Sequence, residues 1–222
     1  RLVIRNFIMA NKVALTQAQK KEIEQSIEQL EKSTSGELVV YIAKQSDDYS
    51  DAIWYFSALQ SLFFAAAIGL LSYYWLLPIN FGAMETAVVV ITAGLLGILF
   101  PLLIPRLRIF LMKNESVEQR VNTRAHDVFL QQELFNTADR IGILFYISAL
   151  EHKITVLADA GINQKIDQAS LNRVVSEIAT GIKHNKFADG IHEAIKDCES
   201  LLLEHGFNHE ATTVNELSLI HI

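Results

Sequence analysis

Charged side chains are missing from two long stretches of this sequence. Residues 53–77 and 86–104 contain no Asp, Glu, Lys or Arg, although these types make up 20% of the chain. Each stretch is close to the ~20 apolar residues that cross the hydrocarbon core of a bilayer as a helix. Neither stretch shows the polar alternation of a barrel strand. The sequence therefore predicts two membrane-spanning helices, rather than two buried helices of a soluble protein.

Proline and cysteine are scarce. The three prolines, Pro78, Pro101 and Pro105, lie between the spans or near the end of the second. The remaining segments therefore lack the residue that interrupts helices and sheets. The one cysteine, Cys198, cannot form a disulfide framework within the chain, and it falls on the apolar face of the last predicted helix.

Several functional signatures are also missing. The sequence has no Gly-rich phosphate loop, no serine elbow and no HExxH motif. Its formal net charge is -6, and it has no basic stripe beyond the residues that flank the second span. This charge pattern argues against nucleic acid as a partner.

Small residues recur four positions apart in both apolar stretches. Ala65 and Gly69 lie in the first, and Ala93 and Gly97 lie in the second. Small side chains let the backbones of membrane helices approach closely, where lipid supplies no hydrophobic drive. Because the connection at 78–85 is short, we expect the two spans to pack on each other as a hairpin. Association of two copies into a homodimer is the alternative use of the same residues.

Basic residues lie on one side of the predicted hairpin. Lys44 precedes the first span, whereas the second span is followed by Arg106, Arg108 and Lys113. The connection at 78–85 has no Lys or Arg. Short segments rich in these residues stay in the cytoplasm. The sequence therefore predicts cytoplasmic flanks and an external connection.

The two ends of the sequence are excluded from the functional argument. We expect Met9 to be the native start, because residues 1–8 are too short and too lightly flanked for a signal peptide. At the other end, residues 217–222 match the translation of CTG TCT CTT ATA CAC ATC, which resembles a transposon adapter. Residues 207–222 form a tail, and we expect residues 217–222 at its end not to be native protein sequence; an ordinary frayed tail is the alternative.

Outside the two spans, helix and strand patterns alternate. Capping boxes and amphipathic periodicity predict helices, and runs of β-branched and aromatic residues predict strands. In chain order these are a helix from Thr16 to about Lys32, a strand at 37–43, a helix from Ser116 to about Leu134, strands at 141–148 and 153–159, a helix capped by Asp167 or Ser170, and a helix that ends at Gly206.

The strand at 37–43 has no partner before the first span. It must therefore pair with the strands that follow the second span, whose edge would otherwise be exposed. The predicted fold class is α/β, a small domain with helices packed on a short sheet and split by a two-helix transmembrane hairpin. The first part would be 9–52, the hairpin 53–105 and the second part 106–206.

Carboxylates mark one candidate metal site. A hairpin turn at 149–152 would place Asp139 and Asp159 at its open end, with Asp167 shortly after and Glu37 at the start of the first strand. Clustered carboxylate oxygens can hold a hard cation such as Ca²⁺ or Mg²⁺. The alternative is structural, because Asp residues also serve turns and cap helices.

Several of these segments carry a resemblance to a known family. They are 35–42 (SGELVVYI), 124–129 (RAHDVF), 137–148 (TADRIGILFYIS), 151–162 (EHKITVLADAGI) and Asp189-Gly190. The family that they resemble is the TPM domain, in its bacterial integral-membrane subgroup. The resemblance runs from about Thr16 to Gly206, interrupted by the spans, and the strand-turn-strand segment is its most specific part.

The resemblance implies an α/β/α sandwich tied to a membrane. It also implies roles suggested for relatives, namely acid-phosphatase activity, metal binding, and assistance to membrane complexes such as a photosystem or a receptor. Many relatives carry an acidic residue before the first helix, but residues 11–15 contain none. A glycine-rich turn that many relatives carry is reduced here to Asp159-Ala-Gly161.

Two functions follow as hypotheses. The first is an interaction, assembly or maintenance module, with the lipid bilayer and other membrane proteins as partners. The alternative is a metal-dependent acid phosphatase that uses the carboxylate cluster, with no catalytic residue assigned. In both cases we expect a multi-pass protein of the bacterial inner membrane whose soluble domain lies in the cytoplasm.

Overall fold

A computed structural model describes residues 2–4, 15–74, 82–110, 112–137, 139–184 and 186–208. Expectations about Met9, about residues 78–81 of the connection and about the tail from residue 209 lie outside the described residues. The chain forms two compact units. Unit 1 contains Arg1–Ser46 and Glu118–Ile222, and unit 2 contains Asp47–Val117.

The secondary structure follows the alternation of patterns in the sequence. The strands are β1 (Leu2–Ile4), β2 (Glu37–Ala43), β3 (Gly142–Ser148) and β4 (Lys153–Ala158). The helices are α1 (Gln17–Ser33), α2 (Ser50–Tyr73), α3 (Ala83–Leu103), α4 (Pro105–Phe110), α5 (Asn114–Gln131), α6 (Ala160–Asn163), α7 (Gln168–Lys183) and α8 (Phe187–Glu204).

Unit 1 contains one mixed sheet, with its described strands in the order β1-β2-β3-β4. Strand β2 runs parallel to β3, from the pair Glu37 and Gly142 to the pair Ala43 and Ser148. Strand β4 runs antiparallel to β3 through the turn at 149–152. The predicted β-hairpin of the strands at 141–148 and 153–159 is therefore confirmed, and so is the predicted pairing of the strand at 37–43 with it. Strand β1 pairs in parallel with β2, although it precedes the expected start of the protein.

The core of unit 1 covers one face of the sheet. Alternate residues of β2 and β3 pack with the apolar faces of α1, α7 and α8, because side chains alternate between the two faces of a strand. Cys198 lies in this core, as predicted, and burial raises the pKa of its thiol to about 12. The α/β fold class is confirmed, whereas the sandwich arrangement stays a prediction.

Two predicted helix starts give different outcomes. The capping box of α1 is confirmed, since the backbone N–H of Gln19 donates to Thr16 Oγ1 at 3.3 Å. The second box, at Ser116, is wrong as a helix start, because α5 already begins at Asn114. The backbone N–H of Ser116 bonds to the carbonyl of Lys113. A capping-box pattern fits any early position in a helix, so it does not fix the first residue.

In unit 2, α2 and α3 pack side by side in opposite directions. Ser57 Oγ donates to the Gly94 carbonyl at 2.8 Å, and Ser61 Oγ donates to the Val90 carbonyl at 3.4 Å. The partner number falls as the serine number rises, which defines an antiparallel pair. Serine hydroxyls that bond across two helices are typical of packing without a hydrophobic drive.

The two helices approach each other closely at Gly97, but not at every small residue that the sequence singles out. A Cβ atom at Gly97 would lie 2.7 Å from Ser57 Cα and 3.1 Å from Gln60 Oε1. Ala93 is also buried, so the predicted role of the second pair of small residues is confirmed. A Cβ atom at Gly69 would meet nothing within 4 Å. The predicted packing role of Gly69 is therefore wrong, because α2 contacts its neighbour through Ser57 and Ser61.

Two prolines shape the end of α3. Pro105 has no N–H to donate to the carbonyl of Pro101, four residues earlier, so that carbonyl needs another partner. Arg108 Nε supplies it at 2.8 Å, and Arg108 Nη1 also donates to the Asp48 carbonyl at 2.9 Å. One guanidinium group therefore connects the residues at the end of α3 to the residues before α2.

We expect Gly97→Ala to destabilise unit 2. The added methyl group overlaps backbone rather than a movable side chain, and overpacking of this kind costs roughly 1–3 kcal/mol. Thermal unfolding of the purified protein in detergent should show a lower midpoint. Gly69→Ala is the matched control, because the same change meets open space there. Equal midpoints for the two variants would contradict the packing described for α2 and α3.

Candidate functional site

The hairpin brings the backbones of two predicted metal ligands close together. Asp139 lies just before β3, and Asp159 lies just after β4. The N–H of Gly161 donates to the Arg140 carbonyl at 3.0 Å, and a Cβ atom at Gly161 would lie 2.2 Å from the Asp139 carbonyl. Only glycine permits this approach. The Asp139 side chain itself is exposed.

The Asp159 carboxylate forms an ion pair. Arg140 Nε and Nη2 donate to its two oxygens, each at 2.8 Å, and the N–H of Ala160 donates to Asp159 Oδ1 at 2.7 Å. Asp159 is 5% exposed. The hydrogen bond from Arg140 holds the pKa of this carboxyl below its usual range. The Arg140 guanidinium therefore occupies the position beside Asp159 where the carboxylate hypothesis expects a metal ion.

The other two predicted metal ligands, Asp167 and Glu37, make no described contact with this ion pair. Asp167 Oδ1 accepts the N–H of Ser170 at 3.2 Å, near the first residue of α7, and hydrogen bonds from Ser170 lower the Asp167 pKa. Glu37 is an exposed residue at the start of β2. In the described part of the chain, no three His, Cys, Asp or Glu side chains are grouped to hold a metal. The metal site stays a prediction.

Sequence reasoning missed the role of Arg140. The sequence contained the information needed to predict this role, because a turn at 149–152 fixes the register of the β-hairpin. The pair Ser148 and Lys153 extends along β3 and β4 to the pair Ile143 and Ala158, which places Arg140 near the residues that follow β4. An arginine beside a nearly buried carboxylate forms a bidentate pair readily.

A second candidate site lies along the free edge of β4. The N–H of Asp159 donates to the Gly142 carbonyl at 2.9 Å. Backbone groups alternate in direction along an antiparallel strand, so residues 154, 156 and 158 direct theirs away from β3. No described strand pairs with β4 on that side.

A groove of about 560 Å³ follows this edge over residues 152–157. Its walls come from α5, with Asn122 and His126, and from α7, with Asn172 and Ser176. This volume lies within the range of pockets that bind small ligands, roughly 300–1,000 Å³. The groove is therefore large enough for a short segment of another molecule.

Polar side chains bridge the groove to its floor. Thr155 Oγ1 donates to Asn122 Oδ1 at 3.0 Å, and Gln168 Nε2 donates to the Val156 carbonyl at 3.4 Å. At one end, Lys153 Nζ lies 3.8 Å from a carboxylate oxygen of Glu118. The charges at this end neutralise each other, and the centre of the groove is lined by amides and hydroxyls.

A buried network holds the turn that ends the groove. Glu151 accepts the Ser46 N–H at 2.8 Å and the Ser148 hydroxyl. Ser46 Oγ bonds to Ser148 Oγ at 2.9 Å and to the Tyr146 hydroxyl at 3.1 Å. Burial raises the pKa of that phenol. The network lies at the carboxyl ends of β2 and β3, where open α/β sheets often bind ligands, but its members bond to one another and fix the turn.

We expect Asp159→Asn to lower the thermal unfolding midpoint at pH 7, by an amount that shrinks as the pH is lowered below about 4. The folded-state pKa of Asp159 lies below the unfolded value of about 3.9, so the ionised group stabilises the fold above about pH 4. That stabilisation is lost as the pH falls through the folded-state pKa. Asp139→Asn is the control, because its exposed carboxyl should matter little throughout this pH range. A gap in midpoint that stays constant as the pH is lowered from 7 through the acidic range would argue against the ion pair as its cause.

Comparisons with known proteins agree with this architecture. Residues 106–201 match the model of the TPM domain family. No curated protein sequence matches the chain. Among solved structures, the chain is similar to the BA42 protein of the psychrophilic bacterium Bizionia argentinensis, with 19% identity, a TM-score of 0.52, and coverage of 87% of this chain and 84% of that one. At this identity the likeness concerns the fold alone. The family match includes the groove and its two helix walls, and we conclude that the chain contains a TPM domain over residues 106–201.

Proposed function

We propose that this protein is a membrane-anchored interaction module that supports the assembly or maintenance of other membrane proteins. The observation that carries the proposal is the outward orientation of apolar side chains on α2 and α3. Leu62 is 67% exposed, Ile91 is 63% exposed and Leu103 is 69% exposed. Both helices are long and apolar enough to cross a membrane.

Exposure distinguishes these helices from the core helices of a soluble protein. In the most apolar window of α2 no residue is buried, and in that of α3 only 17% are. Soluble proteins rarely expose apolar patches larger than a few hundred Å². Lipid is the solvent that such surfaces require. Trp54 and Tyr55 near one end of α2, with Tyr73 and Tyr74 at the other, are also exposed, as residues of a headgroup layer are.

The phosphatase alternative has less support from the geometry. It would use Asp159 as a metal ligand, but both oxygens of that carboxylate bond to Arg140. A cation would have to displace an arginine whose hydrogen bonds to a carboxylate are charge-assisted and therefore strong. No described feature favours phosphate chemistry over binding. We therefore propose the interaction role.

The orientation that we propose places both flanks of the helix pair in the cytoplasm. A reporter fused after Gly206 should behave as cytoplasmic, and one inserted at Asn80 should behave as external, because basic residues follow the second span and are missing from the connection. Replacing Arg106 and Lys113 by Asn should weaken this preference.

The control changes the same charge far from the spans. Replacing Lys20 and Lys21 by Asn removes two basic residues more than about 20 positions from a span, where the orientation rule has little force. This variant should keep the reporter pattern of the unmodified protein. A cytoplasmic reporter at Asn80 would overturn the proposed orientation and place the sheet domain outside.

We further propose that unit 1 is one folding domain split by the membrane hairpin. The parallel pairing of β2 with β3 joins segments on either side of unit 2. Replacing residues 53–104 by a short flexible linker should therefore leave a soluble domain that unfolds cooperatively, because a shorter loop lowers the entropy that closing it requires. Cooperative thermal unfolding of this variant is the expected result.

The same variant tests the anchoring requirement. In cells that lack the protein, native gels of the membrane fraction should show partly assembled complexes. The full chain should restore them, and the variant without 53–104 should not, although it folds. A folded soluble variant that restores assembly would contradict the need for a membrane anchor. An aggregated variant would contradict the single split domain.

A further inference from the structure

We propose that the groove along β4 binds an extended, uncharged peptide segment of a partner protein as an added strand of the sheet. This inference deepens the proposed interaction role and rests on it. It assigns the contact to a particular edge of unit 1. The peptide segment binds mainly through hydrogen bonds to the backbone of β4, so its recognition depends more on an extended conformation than on its sequence.

The first argument is the set of unpaired backbone groups. Within the described residues, the N–H and C=O of the half-buried Ile154 have no hydrogen-bond partner, whereas the next outward residue, Val156, is buried and its carbonyl bonds to Gln168. Both Ile154 groups lie on the side of β4 away from β3. Peptide groups of this kind need a partner or water, and a strand supplies donors and acceptors at the matching spacing. The edge is therefore able to accept an additional strand.

The second argument is the uneven protection of this edge. Proteins usually cover or interrupt exposed edge strands, because these pair readily with other chains. Here two side-chain amides satisfy outward carbonyls in the second half of the strand, Gln168 at Val156 and Asn163 at Ala158. In the first half, no described side chain does this for Ile154. Strand addition would begin at Ile154 and displace the longer of these contacts, the 3.4 Å bond of Gln168.

The third argument is the shape of the site. Residues 152–157 line the groove, and six residues of a strand extend over roughly 17 Å at about 3.3 Å per residue. Helices α5 and α7 form walls on both sides of this edge. A second copy would bring its own two walls to the same edge, so continuous pairing of two β4 strands is less favourable than binding of a single extended segment.

The chemistry of the walls indicates the kind of peptide. Asn122, Asn172, Gln168 and Ser176 offer amide and hydroxyl groups, and Val175 contributes an apolar surface. Among the described lining residues, which also include His126 and His152, the oppositely charged Lys153 and Glu118 already lie close together. An uncharged segment of alternating Thr and Val residues matches these groups, because β-branched residues favour the extended conformation and Thr hydroxyls bond to amides.

The test uses the full-length protein in detergent micelles and the capped peptide Thr-Val-Thr-Val-Thr as the probe. We expect the peptide to slow amide hydrogen exchange at Ile154 about tenfold or more, as measured by NMR. A peptide N-methylated on the residues that face the edge should not bind, whereas N-methylation of the alternate residues should leave binding unchanged, since successive N–H groups point in opposite directions. No slowing at millimolar peptide would overturn the proposal.

Two protein variants separate the edge from its walls. Ile154→Pro removes an outward donor but leaves the bonds to β3, because proline is tolerated where the N–H faces away from the ladder. It should weaken binding about tenfold, while Ile154→Val should not. Ser176→Arg fills the groove from α7 and should also weaken binding, whereas Thr180→Arg, on an exposed position of the same helix outside the groove, should not. Unchanged binding in both Ile154→Pro and Ser176→Arg would overturn the proposal.

The remaining outcomes identify other occupants and separate the two proposals. Slowed exchange that rises with protein concentration without peptide, together with a change of oligomeric state, would assign the edge to a second copy and overturn the peptide proposal. Slowed exchange without peptide that disappears when residues 209–222 are deleted would assign the β4 edge to the chain's own tail. This result would also overturn the peptide proposal. Peptide binding by a protein that does not fractionate with membranes would contradict the proposed anchoring alone.

Discussion

Parallel pairing between β2 and β3 is the interaction on which unit 1 depends. It aligns Glu37–Ala43 with Gly142–Ser148 over the whole length of both strands. The alternate residues of these strands supply the centre of the apolar core, against which α1, α7 and α8 pack. It also leaves β4 as an outer strand, since the other side of β3 is occupied. The core and the groove are therefore consequences of one strand pairing.

Patterns that depend on neighbouring residues could be read from the sequence. The strand at 37–43, the hairpin, the α1 cap and the buried Cys198 follow from short-range periodicity and from turn length. The two membrane-capable helices follow from composition alone. What the sequence did not reveal depends on the register between distant segments. Small residues mark the faces that could pack, but only the relative rotation of α2 and α3 decides that Gly97 is in contact and Gly69 is not.

The carboxylates show the same limit at the candidate site. Asp139 and Asp159 were expected to be neighbours, and their backbones are close. The positions of the acidic residues alone did not predict that the charge of Asp159 is balanced within the protein. That balance depends on Arg140, whose guanidinium bonds to Asp159. The groove could not be predicted from the sequence for a different reason. It consists of backbone groups, which every sequence has, and of two helices whose positions beside β4 are set by tertiary packing.

The parallel pairing also has a consequence for the order of events during synthesis. Strand β3 follows β2 by about 100 residues, so at a synthesis rate of roughly 5–20 residues per second the ribosome needs about 5–20 s to produce the partner strand. During that time β2 is an apolar segment with no sheet to join, and the two apolar helices leave the ribosome before β3 does. Insertion of these helices into a membrane would hold β2 near a surface and away from other nascent chains while it waits. The sheet can close only after the helices have been made.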